Sequence, residues 1–153
     1  VRNDLALLEL DQPIQNTTIK PFETAPRPRR GDRLGVVSYA KNRSEAPSLQ
    51  EVCSVIARQE GVLVTSCSVD FGASGAPIFT FENGSPQIVS VVSAKAHVEN
   101  REVSLGTALG APLALLQAEL VAGKGVFQQP GPASRRLSAQ DRRRSIGAKF
   151  VKP

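Results

Sequence analysis

Short apolar stretches of four to eight residues, rich in Val and Ile and bounded by Gly, Pro, Asn and Ser, recur through most of the chain. Alternation of this kind predicts strands that bury one face, and the continuous runs predict strands buried on both. Strands are expected at residues 4–10, 33–40, 50–58, 62–67, 76–81, 87–95 and 102–109. One segment has helical periodicity instead. At 111–122, Pro112 suits a first turn, Leu113, Leu116 and Leu120 fall on one face, and Gly123 stops the helix. Residues 20–30 hold Pro21, Pro26 and Pro28 together with Lys20, Arg27, Arg29 and Arg30. Proline cannot donate to a ladder, so this stretch is an exposed connector between two structural halves. The expected class is mainly β, with one helix near the end.

A chain of 153 residues has room for one well-formed core. Its apolar runs stop far short of the roughly 20 residues that would span a bilayer, so no membrane segment or membrane partner is expected. Val1 opens the chain and methionine is absent throughout, which suggests that further sequence, with any leader, lies upstream. The net charge of +5 changes meaning once it is divided: residues 124–153 carry +7 and residues 1–123 carry −2. The folded part is therefore slightly acidic. The basic tail, 123–153, has no aromatic interleaving, reads as disordered, and gives little reason to expect a nucleic-acid partner. An anion-binding arm is the other reading of that tail.

Cys53 and Cys67 flank a hairpin expected to turn at Gln59-Glu60-Gly61, and their midpoint is residue 60. A symmetric hairpin places them opposite each other, at a separation that suits a disulfide. A bridge implies an oxidising compartment, secreted or periplasmic; the alternative is two buried thiols. Two cysteines and one distant histidine make no metal-ligand set, so no metal is expected.

The chemistry concentrates in Gly72-Ala73-Ser74-Gly75-Ala76-Pro77. A serine nucleophile needs an exposed hydroxyl beside backbone N–H groups that can hold a developing oxyanion, and small neighbours allow both. Ala76 and the following apolar run differ from the elbow of α/β-hydrolases, which needs a glycine two residues after the serine and then a helix.

This loop resembles the nucleophile loop of trypsin-like serine proteases, and bacterial secreted members of the glutamyl-endopeptidase type in particular. Asn3-Asp4-Leu5-Ala6-Leu7-Leu8-Glu9-Leu10 is similar to the segment in which that family's triad aspartate precedes an apolar strand. Gly31-Asp32-Arg33-Leu34-Gly35-Val36-Val37-Ser38-Tyr39 resembles the first strand of the second barrel. Ile88-Val89-Ser90-Val91-Val92-Ser93-Ala94 resembles the strand that lines the substrate cleft, and Leu105-Gly106-Thr107-Ala108-Leu109 the last strand before a C-terminal helix. The pieces occur in the family's order over residues 1 to about 122.

The resemblance implies a chymotrypsin-like double β-barrel, of which this chain would hold the end of the first barrel with the connector (1–30) and the complete second barrel with its helix (31–122). It implies a serine endopeptidase acting on protein or peptide without a cofactor. Asp4 and Ser74 would be catalytic, the amides of Gly72 and Ser74 would form the oxyanion hole, Ser93 would support Asp4, and Ser68, Ser93, Ala94 and Lys95 would shape the substrate pocket. Ser68 offers no acidic group for a basic side chain, and Val92 offers no histidine of the kind expected for glutamate preference, whereas Lys95 would suit an acidic group. The family's triad also needs a histidine upstream of the aspartate, and only three residues precede Asp4. His97 is expected on a surface loop near the pocket with no triad role. The missing base leaves two readings: a fragment whose N-terminal β-barrel supplies the histidine, or a catalytically inactive homologue that binds protein.

Overall fold

The computed structural model describes residues 1–25, 27–39, 45–82 and 84–125. Six strands form: β1 Arg33–Ser38, β2 Ser48–Gln59, β3 Val62–Thr65, β4 Pro77–Thr80, β5 Gln87–Val98 and β6 Arg101–Ala108, followed by the helix α1 Gly110–Val121. Every pairing is antiparallel, and the order β1-β2-β3-β6-β5-β4 closes on itself as a barrel. The chymotrypsin-like architecture expected from the sequence is therefore present as one closed barrel with a C-terminal helix. Closure gives each of the six strands a neighbour on both sides.

Inside the barrel, Leu34, Val36, Val55, Leu63, Ile78 and Val92 pack with the two half-cystines and with Ala73. A second layer is polar. Thr65, Ser90, Ser104 and Thr107 are fully buried, and hydroxyl-to-hydroxyl and hydroxyl-to-carbonyl bonds satisfy all four: Thr65 Oγ1 lies 2.5 Å from Ser104 Oγ, Ser90 Oγ donates to the Thr107 carbonyl at 2.7 Å, and Thr107 Oγ1 donates to the Val1 carbonyl. Most buried hydroxyls are paired in this way; Thr80 Oγ1 is buried here without a hydrogen-bond partner among the described residues.

The two cysteines form a disulfide with Cα atoms 4.8 Å apart, but the hairpin that joins them is not symmetric. Its turn is two residues, Glu60 and Gly61, both with positive φ (46° and 87°), and Gln59 pairs with Val62. Continued without interruption, that register would set Cys53 opposite Ser68. A bulge between Val55 and Ala57 absorbs one residue, so Val55 pairs with Thr65 and Cys53 meets Cys67.

The main departure from expectation is at the start of the chain. Residues 4–10 form no strand; they run outside the barrel with Leu8 84% and Leu10 57% exposed. A strand is held by its ladder, and no described segment lies beside this one to complete it. His97 also departs from expectation, because β5 extends to Val98 and places it on a strand rather than a loop. It is nevertheless exposed, with Nε2 3.6 Å from Glu102 Oε1 across the β5–β6 hairpin. The helix starts and ends one residue earlier than expected, with Ala122 as its cap, and Gly123 follows with φ +67° and its N–H donating to the Leu120 carbonyl. No residue of α1 is fully buried, and no helix among the described residues is long and apolar enough to cross a membrane. From residue 126 onward the expected tail lies outside the described residues.

Candidate active site

Ser74 sits at the tip of a tight turn that the barrel holds from both sides. Ala73, on the N-terminal side, is buried in the core, its N–H donates to the Asp70 carbonyl at 3.1 Å, and its own carbonyl accepts from Ala76 N–H at 3.0 Å. Gly75 then ties the tip to β5 by donating to the Val92 carbonyl at 2.8 Å, and Val92 N–H returns a bond to the Ala76 carbonyl at 2.9 Å. Gly75 adopts φ +81°, a conformation that side chains resist and glycine accepts at no steric cost. The result is an exposed Ser74 hydroxyl on a backbone fixed by four hydrogen bonds.

The amides of Gly72 and Ser74 donate to no acceptor among the described residues. Both are in exposed residues of the same turn. Unspent donors beside an exposed serine are what an oxyanion developing there would require.

The strand that anchors this loop also reaches Asp4. On β5, Val92 pairs with Gly106 and Ala94 with Leu105, so Ser93 is the extra residue of a bulge. A bulge turns one side chain out of the alternating pattern, and here the Ser93 hydroxyl donates to Asp4 Oδ2. The residues before Asp4 are clasped as well. Arg2 Nη2 lies 2.8 Å from Glu60 Oε2, Arg2 Nε donates to the Glu60 carbonyl at 3.0 Å, and Thr107 Oγ1 donates to the Val1 carbonyl at 2.8 Å. The Glu60-Gly61 turn, β6 and β5 thus position the arm that carries Asp4, 70 residues upstream of Ser74 in sequence.

The pocket residues are placed less tightly. Ser68 is exposed and its N–H donates to Gln50 Oε1 at 2.8 Å, while Ser93, Ala94 and Lys95 follow one another on β5. The Lys95 ammonium lies 5.8 Å from the centre of the Phe71 ring and 3.7 Å from Glu102 Oε1. Phe71 was not anticipated from the sequence, though its place three residues before Ser74 would have drawn attention to it. Cavities of about 580 and 570 Å3 open elsewhere, lined by none of these four residues. His97 contacts Glu102, not Asp4. Among the described residues no group of three or more His, Cys, Asp or Glu could hold a metal ion.

No protein-family model and no curated protein sequence matches the chain. Among solved structures it is similar to Rv3671c from M. tuberculosis H37Rv, a trypsin-like serine protease crystallised as a serine-to-alanine mutant in an inactive form, with 18% identity and a TM-score of 0.52. The match covers 74% of this chain and 59% of that one, so the chain spans less than two thirds of its neighbour's length. At this identity the likeness speaks to fold alone, and together with the closed barrel and its terminal helix it makes the architecture chymotrypsin-like.

Proposed function

We propose that the chain is the C-terminal part of a serine endopeptidase of the trypsin-like type, with residues 1–30 belonging to the first barrel and the connector, 31–122 forming the second barrel and its helix, and 123–153 a basic tail. Ser74 attacks the peptide carbonyl, the amides of Gly72 and Ser74 hold the oxyanion, and Asp4 orients a histidine supplied by an N-terminal β-barrel outside this chain. The base takes the Ser74 proton during attack and returns it to the leaving amine, and water then releases the acyl group from Ser74.

The observation that carries this reading is the hydrogen bond from Ser93 to Asp4, made from the strand whose Val92 also fixes the nucleophile loop. One strand therefore sets the position of both groups. Support for the partner barrel comes from Leu8, Leu10, Ile14 and Ile19, all exposed between 57% and 84%, on the arm that follows Asp4. Ser68, Ser93, Ala94 and Lys95 shape the substrate pocket, and the ammonium of Lys95 favours an acidic side chain of the kind that glutamyl-endopeptidase-like enzymes take. The disulfide fits a secreted or periplasmic protein.

A second reading, a catalytically inactive homologue that binds protein, is favoured by one observation: the chain's single histidine sits against Glu102 rather than Asp4. Labelling with a serine-directed fluorophosphonate separates the two. The chain as it stands is expected to remain unlabelled, and a version extended upstream by about the length of one barrel is expected to be labelled at Ser74 and not in its Ser74→Ala form. An extended version that stays unlabelled would favour the binding module.

A further inference from the structure

A cavity of about 580 Å3 lies between the connector, the Glu60-Gly61 turn and the start of α1, and none of the candidate site residues lines it. Three guanidinium groups do, from Arg2, Arg27 and Arg58, against one carboxylate, Glu60. That carboxylate is already engaged by Arg2 at 2.8 Å. Arg27 has no ion-pair partner among the described residues; its Nε and Nη2 lie over the first turn of α1, each 3.9 Å from where a methyl group on Gly110 would sit. Among the described residues the one side-chain hydrogen bond of Arg58 is a long one, from Nη1 to the Pro28 carbonyl at 3.4 Å.

Two uncompensated positive charges therefore face one concavity. Like charges repel there, and concave walls focus the potential they create. An anion seated between them would relieve the repulsion. We propose that this cavity binds a tetrahedral oxyanion of the phosphate or sulfate class.

The choice of class follows from the lining. Two guanidinium groups present forked donors that match the oxygens of such anions, and the amides of Gly110 and Ala111 add donors, since the helix makes its first bond from Leu113 N–H to the Leu109 carbonyl and Pro112 has no N–H. These donors outnumber the two oxygens of a carboxylate. With Glu60 held by Arg2, no free acceptor separates phosphate from sulfate, so both should bind.

The test is thermal melting of the full 153-residue chain in sodium phosphate, sodium sulfate and sodium acetate, each matched in ionic strength with sodium chloride. Phosphate and sulfate are expected to raise the midpoint by about 4 °C or more, saturating with concentration, and acetate much less. The doubly substituted Arg27→Gln, Arg58→Gln chain is expected to lose the saturating part and to bind roughly tenfold or more weakly. What remains should be the linear rise that excluded salts give any protein. An Arg142→Gln, Arg143→Gln chain should keep the full response. If the cavity substitutions destabilise the barrel, phosphorus NMR line broadening of inorganic phosphate reads binding directly, with Arg27→Lys as the milder variant, expected to weaken it. The proposal is overturned if the cavity variant responds as the parent does, if the tail variant loses the response, if acetate matches phosphate, or if no saturating shift appears.

Discussion

Ser93 donates its hydroxyl proton to Asp4 Oδ2 from the bulged position of β5. Residues 89 apart in sequence are thereby joined next to Val92, which accepts the Gly75 amide. The bulge matters because the regular alternation of the strand would direct position 93 elsewhere.

Ser93→Ala removes that bond without disturbing the ladder. Global stability is expected to fall by about 1 kcal/mol or less, as for a single accessible hydrogen bond. The arm should loosen. Cleavage after Arg2 by an added arginine-specific protease, followed by mass spectrometry, is expected to be several-fold faster in the variant, and unchanged cleavage would show that the Arg2–Glu60 and Thr107–Val1 contacts hold the arm without Ser93.

The disulfide closes a loop 14 residues long in sequence separation. Replacing Cys53 and Cys67 together by alanine should cost about 3 kcal/mol, chiefly by freeing the unfolded chain. Urea unfolding of the two proteins measures it directly. A loss below about 1 kcal/mol would mean that the bulged hairpin is held by its ladder and core contacts alone.

Gly106 has no room for a side chain. A methyl group there would overlap Ser90 Oγ and lie 2.9 Å from Ile78 Cδ1 and 3.1 Å from the Val91 carbonyl oxygen. Gly106→Ala is expected to destabilise the barrel by roughly 1–3 kcal/mol through overpacking, read as a lower urea midpoint. A neutral result would mean that β5 shifts to make room at little cost.

Leu8, Leu10 and Ile14 are exposed, at 84%, 57% and 71%. Exchanging all three for serine should leave barrel stability within about 0.5 kcal/mol, as for surface changes that break no buried contact. Sedimentation velocity should then show less self-association than in the parent, because three exposed apolar side chains have been removed. A large loss of stability would instead place these residues in the core.

Where the sequence foretold the structure, short-range chemistry was decisive. The six barrel strands were legible because Val- and Ile-rich runs alternate between turn residues, and the helix because Pro112 and Gly123 mark its ends. The tight loop around Ser74 was legible because Gly72 and Gly75 permit backbone angles denied to other residues. The link from Asp4 to Ser93 was expected from family resemblance, since no spacing rule connects positions 4 and 93. Residues 4–10 carry a strand-like pattern, yet a pattern records which residues prefer a sheet and not whether a neighbouring strand is present. The cysteine pairing was foreseen from a symmetric hairpin and arises from a two-residue turn corrected by a bulge. The arginine cavity was invisible because Arg27 and Arg58 meet only through the tertiary fold.

Ser74 belongs to the link between β3 and β4, two strands that are not neighbours in the barrel. The hairpins β2–β3, β4–β5 and β5–β6 close over short loops, while β1–β4 and β3–β6 join strands distant in sequence and pay the greater entropy of loop closure. A partly folded chain holding only its hairpins would already tie the C-terminal side of Ser74 to β5 through Gly75 and Val92, while the N-terminal side, whose Ala73 packs in the barrel core, would still lack its support. The geometry proposed for peptide cleavage therefore draws on one local hairpin and on the least local pairings of the sheet together, and is complete only in the closed barrel.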